Sequence, residues 1–277
     1  MFEPFSLAAP AKINLALHVL GRRTDGYHEL DSIVAFASVG DRLTFTPASA
    51  FDVTAEGPFA AALPAASGNI ITRAYAAAQG IASGRGKSLP PVAVHLVKNL
   101  PVASGIGGGS SNAAAALRGF LKVAGIEELD DHIMDVALQL GADVPVCLFG
   151  KPCRMRGVGE RIEALAPFTR RRALLVNPLI EVSTPAVFGQ LGLERGQSLG
   201  KAIADVTDPA CWRNDLALPA IGVAPVIGDV LGVLEKLSGV SRCFMSGSGA
   251  TCVALLDDDV EISVPQQGWW SVLTTIG

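Results

Sequence analysis

The chain has 277 residues, 49% hydrophobic and 17% charged, enough apolar surface to build a core and too little charge for a disordered chain. Twenty-two Lys and Arg against 26 Asp and Glu give a formal net charge of −4, which argues against binding a polyanion such as DNA or RNA. Mean hydropathy is +0.40, yet no stretch of about 18 residues is free of charges and prolines, so no membrane span is expected.

The start, MFEPFSLAAPAKINLALHVLGRR, lacks a basic n-region and carries Lys12 and Asn14 inside its apolar run, so it reads as the opening of a fold and not as a signal. From Ala11 to Leu20 the sequence alternates Ile13, Leu15, Leu17 and Val19 against Lys12, Asn14, Ala16 and His18. That is a strand period with one buried face, which places Lys12 and Asn14 on the exposed one. After the polar turn GRRTDG, the run YHELDSIVAFASVGDRLTFT predicts a second strand and a third. GNIITRAYAAAQ, Gly68 to Gln79, predicts an alanine-rich helix. PPVAVHLVKNLP predicts a strand that ends in SGIGGGSSN. NAAAALRGFLKVAG then continues as a helix from near Ser111, closed by Gly125. A helix from about Leu129 stops at Gly141, and Pro145 with the apolar run of ADVPVCLFG predicts a turn into a strand. RALLVNP is a strand, STP opens a short helix, and Gln190 to Asn214 is loop with short helix. VIGDVLGVLEKL is helical, and RCFMSGSGATCVALLD reads strand, glycine turn, strand. Strands and helices mixed without a regular βαβ rhythm predict an α+β fold. Two domains are expected, 1–152 and 153–277.

Three glycine-rich loops compete as phosphate sites among the 30 glycines. SGRGKSLPP imitates the end of a P-loop, but Ile81 stands where its first glycine is required and Leu89, Pro90 and Pro91 follow in place of a helix; it reads as a surface turn. PVASGIGGGSSNAAAAL misses the dinucleotide spacing because Ser110 replaces the third glycine. It is still a phosphate cradle: Gly105, Gly107, Gly108 and Gly109 let backbone N–H groups approach an oxyanion, and the following helix N-terminus adds partial positive charge. Ser110 and Ser111 add hydroxyls that could reach phosphate or Mg²⁺. MSGSGAT, Met245 to Thr251, taken alone reads as a tight hairpin turn. Cys147, Cys153, Cys211, Cys243 and Cys252 form no C-x-x-C pair and read as reduced thiols of a cytoplasmic protein.

Taken together and in order, PAKINLALHVLGRRTDGYHELDSI, PVASGIGGGSSNAA and MSGSGAT resemble the three motifs of the GHMP kinase superfamily. GRRTDGYHEL with LGADVPVCLFG resembles the branch of isoprenoid-precursor kinases that act on a cytidine-diphosphate-linked methylerythritol in the non-mevalonate pathway. The resemblance runs from about Pro10 to Leu256 and leaves the tail after Asp259 open. It implies an N-terminal domain carrying the ATP loop and a smaller C-terminal, sandwich-like α/β domain that closes over the substrate. The activity implied is ATP-dependent phosphorylation of the substrate's 2-hydroxyl, with Mg²⁺ accompanying ATP and no dedicated metal cage in the protein. The chain is then a monomer or weak homodimer whose partner is this small molecule.

By the same resemblance Asp143 accepts or orients the hydroxyl proton, and Lys12 stabilises the developing alkoxide and keeps Asp143 ionised. Residues 101–111 (Pro101, Val102, Ala103, Ser104, Gly105, Ile106, Gly107, Gly108, Gly109, Ser110, Ser111) hold ATP, with Lys98 and Asn69 near the adenosine. Ala103 is compatible with a cradle if its φ is negative. Tyr27 and His28 line the cytosine pocket, Thr184 and Phe188 form its far wall, and Asn14, Gly247 and Gly249 face the substrate. His18, His95 and His132 read as structural. The rival readings are a homoserine or mevalonate kinase, a diphosphomevalonate decarboxylase-like lyase, and a nucleotide-binding regulator without transfer. GRRTDGYHEL speaks against the first, and the presence of both Lys12 and Asp143 against the last.

Overall fold

A computed structural model describes residues 2–64, 68–165, 168–257, 262 and 268–277. The chain divides into two compact units, Met1–Ala11 with Gly40–Val102 and Gly107–Gly150, and Lys12–Val39 with Ala103–Ile106 and Lys151–Gly277. The single boundary expected after 152 lies beside the last of several crossings. Two of the others fall within the first two strands, β1 (Phe5–Arg22) and β2 (His28–Pro47), which run through both units, and two bracket Ala103–Ile106. β2 is one continuous 20-residue strand where two were expected; the backbone stays extended through Gly40 and Asp41.

In the first unit β3 (Asp52–Glu56) runs parallel to β4 (Val92–Val97), and β4 pairs antiparallel with Arg42–Pro47 of β2. Four helices cover this sheet: α1 (Ile70–Gly84), α2 (Gly108–Val123), α3 (Asp131–Leu140) and α4 (Val144–Phe149). α1 buries Ile71, Ala74, Ala78, Ile81 and Ala82, a stripe at helical spacing whose small side chains let α2 approach closely. Gly119 of α2 sits on the Phe45 ring, where any Cβ would overlap the aromatic carbons. Phe45, Phe120 and Tyr75 then lock edge to face, with centroids 5.5 Å and 5.1 Å apart. ADVPVCLFG forms the short helix α4, contrary to the strand expected. Pro145 occupies the first turn, where its missing N–H costs nothing, and Gly150 closes the helix at φ 67°.

In the second unit the sheet order is β10, β7, β9, β8, all antiparallel: β7 is Arg171–Asn177, β8 Val240–Met245, β9 Cys252–Leu256 and β10 Trp270–Ile276. β10 lies in the tail that the sequence left open, while 260, 261 and 263–267 of that tail lie outside the described residues. β5 (Cys153–Gly157) pairs with β2 and with β6 (Arg161–Ala164). Helices α5 (Thr184–Gly189), α6 (Ala217–Val223) and α7 (Val226–Leu234) close the core around Leu174, Val176, Val187, Ile227 and Val230. β1 departs from the half-exposed strand expected: from Ala11 to Val19 both faces are buried. The polar face is covered within this unit, where His18 places its two ring nitrogens 3.1 Å from the carbonyls of Lys201 and Cys211.

Candidate active site

The glycine loop is shared by sequence between the two units, and each part is built differently. In the first unit α2 starts at Gly108, earlier than the expected Ser111, because Gly107 caps it in the left-handed region at φ 63°. The first N–H groups of a helix have no carbonyl partner within it, so the 16-residue α2 presents them together with the positive end of its dipole. A Cβ at Gly109 would meet nothing within 4 Å, so this face of the helix start is open. Ser111 is turned inward, 2% exposed, and donates its hydroxyl proton to the Pro10 carbonyl at 2.6 Å. Ser110, half-buried, is the more accessible hydroxyl of the two.

Lys98 and Asn69 are both buried. Lys98 Nζ donates to Asp41 Oδ2 at 2.8 Å and to the Leu100 carbonyl at 2.5 Å. Burial pushes the Lys98 ammonium below its ordinary pKa, against the opposing pull of Asp41. The other carboxylate oxygen of Asp41 accepts from the N–H groups of Asn99 (2.7 Å) and Leu100 (2.9 Å), which fixes the chain just before Pro101. Asn69 caps α1, its Oδ1 accepting from Ile71 N at 2.9 Å. Asp143 stands half-buried at the start of α4, and its carbonyl accepts from Cys147 N.

In the second unit Lys12 is only 4% exposed, not solvent-facing as its strand period implied, and its N–H donates to the Ile106 carbonyl at 2.9 Å. Burial raises the nearby Cys153 thiol to about 12 although the Lys12 charge draws it down. Two residues along β1, Asn14 Nδ2 donates to Ser32 Oγ at 2.8 Å, while Ser32 spends its own proton on the Ala16 carbonyl at 2.6 Å. That fixes the amide orientation and turns Oδ1 towards Gly247, whose Cβ position would lie 3.5 Å away. Oδ1 has no hydrogen-bond partner among the described residues, in a side chain 1% exposed.

The third glycine motif is a hairpin between β8 and β9 that grips residues 103–106. Ser246 Oγ donates to the Gly105 carbonyl at 3.2 Å, and Asn214 Nδ2 holds the carbonyls of Met245 and Gly247, each at 2.8 Å. Gly105 and Gly247 approach backbone to backbone: a Cβ on Gly247 would stand 2.7 Å from the Gly105 carbonyl oxygen. Gly249, at φ 88°, completes the turn. Ala103 adopts φ 50°, so the condition of a negative φ is not met: the turn holds a residue with a Cβ in the left-handed region.

The four residues expected to line a base pocket, Tyr27, His28, Thr184 and Phe188, lie in the same unit. His28 stacks on Phe188, centroids 4.6 Å apart and planes 28° apart, and Tyr27 is 65% exposed beside it. Burial, helped by the Arg22 charge, lowers the His28 pKa from 6.5 and favours the neutral ring. Thr184 Oγ1 is 2.8 Å from Ser248 Oγ, tying α5 to the hairpin. Asp41, Asn177, Asn214, Ser246 and Thr251 escaped the sequence reading. Each acts through a partner distant in sequence, and only Ser246 and Thr251, inside MSGSGAT, carried a local signal. Among the described residues no group of three or more His, Cys, Asp or Glu could hold a metal ion, and no helix is long and apolar enough to cross a membrane.

Residues 69–151 match the model of the GHMP kinases N terminal domain. Over 284 residues the chain is 41% identical to the 4-diphosphocytidyl-2-C-methyl-D-erythritol kinase of Paramagnetospirillum magneticum, covering 96% of each chain. The chain belongs to the 4-diphosphocytidyl-2-C-methyl-D-erythritol kinase family. The like-named kinase of Methylobacterium radiotolerans is 46% identical, with 95% of each chain covered. A crystal structure of 4-(cytidine 5'-diphospho)-2C-methyl-D-erythritol kinase superposes with a TM-score of 0.78 at 29% identity over 99% of both chains. The homoserine kinase of Cytophaga hutchinsonii, at 16% identity and a TM-score of 0.66, covers 99% of this chain and 95% of its own and shares the fold alone. The α+β, GHMP-type fold and the family expected from the three motifs both hold, and the chain is an ATP-using kinase.

Proposed function

We propose that this kinase transfers the γ-phosphoryl group of ATP to the 2-hydroxyl of 4-diphosphocytidyl-2-C-methyl-D-erythritol. Full-length similarity to kinases of that name supports the reaction. The geometric observation that carries the acceptor side is Asn14 Oδ1, a buried acceptor without a partner among the described residues. Such an atom costs about 1–3 kcal/mol unless a donor arrives, and a sugar-alcohol hydroxyl is that donor. Tyr27, the neutral ring of His28, Phe188 and Thr184 take the cytosine, which offers a π-face and a polar edge; the turn of Gly247 and Gly249 faces the methylerythritol.

ATP lies along residues 101–111, its phosphates on the N–H groups of Gly105 and Gly107–Gly109 and on the start of α2, with Lys98 and Asn69 shaping the adenosine side. Mg²⁺ would be held by the phosphates, with Ser110 the hydroxyl able to ligate it, and would supply charge neutralisation there. Asp143 takes or orients the hydroxyl proton, and the Lys12 ammonium stabilises the alkoxide. The five cysteines are thiols, in keeping with a reducing cytoplasm, and the net charge of −4 leaves small anions held by backbone as the partners of a monomer or weak homodimer. The test is Asp143→Asn: turnover falls by at least about a hundredfold while ATP binding, read by calorimetry, is unchanged. Full turnover in that variant removes Asp143 from the mechanism.

A further inference from the structure

Asn177 ends β7 and is 1% exposed. Its Oδ1 accepts from Leu179 N at 2.7 Å, and its Nδ2 donates to Thr251 Oγ1 at 2.8 Å. Thr251 Oγ1 in turn donates to the Ser104 carbonyl at 2.6 Å, and Thr251 N donates to the same oxygen at 3.1 Å. The threonine hydroxyl has one proton and spends it on Ser104, so towards Asn177 it acts as acceptor; the direction of the relay is thereby fixed. The C=O of Ser104 and the N–H of Gly105 belong to one planar peptide and point in opposite directions. A carbonyl drawn into the hairpin therefore aims the Gly105 N–H away from it.

We propose that Asn177, acting through Thr251, is a positioning residue for ATP: the relay sets the peptide plane whose N–H meets a phosphate oxygen. The inference rests on reading residues 101–111 as the ATP loop. The same amide also holds the Leu179 turn, from which the chain continues to Thr184 and Phe188, and the two functions can be separated. Asn177→Asp keeps an acceptor for Leu179 N but cannot donate to Thr251, and it draws the threonine proton away from Ser104. Thr251→Val removes the hydroxyl at nearly constant shape and leaves Asn177 in place, while Thr251→Ser restores the hydroxyl.

ATP dissociation constants and KM values for both substrates are measured for Thr251→Val, Thr251→Ser, Asn177→Asp and the double variant Asn177→Asp/Thr251→Val. Gly109→Asp serves as the control: its side chain enters open space and sets a negative charge at the start of α2. Thr251→Val is expected to weaken ATP about three- to tenfold, the worth of one such hydrogen bond, with the KM of the cytidylyl substrate unchanged. Thr251→Ser recovers wild-type affinity, and the double variant is no weaker than Thr251→Val, since both changes break one relay. If Gly109→Asp leaves ATP binding intact, the loop reading itself fails. If Gly109→Asp weakens ATP while Thr251→Val binds it like wild type, or if Thr251→Val raises both KM values equally, the relay is merely structural and the inference is overturned.

Discussion

The imidazole of His28 lies against the Phe188 ring at 4.6 Å between centroids, joining the start of β2 to helix α5 in one aromatic stack. An offset aromatic pair is worth about 0.5–1.5 kcal/mol beyond its buried area. Phe188→Ala should therefore raise the KM of the cytidylyl substrate about three- to tenfold with the KM of ATP unchanged, in steady-state assays varying each substrate in turn.

The lowered pKa of His28 makes a second prediction. The unfolded chain takes up this proton near 6.5 and the folded one only at lower pH, so the folded state is penalised as pH falls below 6.5 and is unaffected above it. KM for the cytidylyl substrate should stay flat from about pH 8 to 6.5 and rise below that range, and His28→Gln should abolish the rise. A KM that climbs already above pH 7 contradicts the neutral ring.

Asp41 and Lys98 form an ion pair whose side chains are 0% and 2% exposed. Removing one partner of a buried pair strands the other, at a cost of about 3–5 kcal/mol. Asp41→Ala should lose stability on that scale, because it also releases the N–H groups of Asn99 and Leu100, and Lys98→Met should lose less. Urea unfolding of the two variants gives the order.

Asp31 of β2 sits in a similar but acid-sensitive contact. Burial alone would raise its pKa. The hydrogen bonds from Arg154 (2.8 and 2.7 Å), the Ile203 N–H and the Arg154 charge outweigh that, and the net shift is downward from 3.8. A depressed carboxylate contributes stability that is present above 3.8 and is lost as pH falls through the folded pKa. Arg154→Met should thus unfold at a higher pH than the parent in an acid titration followed by circular dichroism.

Ala103, exposed and held at φ 50°, carries a Cβ where glycine is favoured. Ala103→Gly should raise stability by about 1 kcal/mol, read as an increase in Tm. A fall in Tm would mean that the loop tolerates the left-handed backbone without strain.

The parts of this molecule that repeat a local rule were legible in its sequence. α1 and α2 were visible from alanine-rich helical spacing, and the β8–β9 hairpin from its glycines. What escaped was decided at long range. The polar face of β1 reads as solvated, yet Ser32 and the carbonyls of Lys201 and Cys211 cover it. ADVPVCLFG has an apolar run that suits a strand as well as a helix, and Gly150 in the left-handed region decided for the helix. Asp41 and Asn177 are ordinary residues in ordinary strands; their partners lie 57 and 74 positions away, so no local pattern points to them.

A coupled ADP-release assay with MgATP across a panel of alcohols decides the identity of the acceptor. ADP release is expected with 4-diphosphocytidyl-2-C-methyl-D-erythritol, phosphorylated at its 2-hydroxyl, and only background release with homoserine or mevalonate. Release with homoserine or mevalonate and none with the cytidylyl substrate would contradict the proposed acceptor.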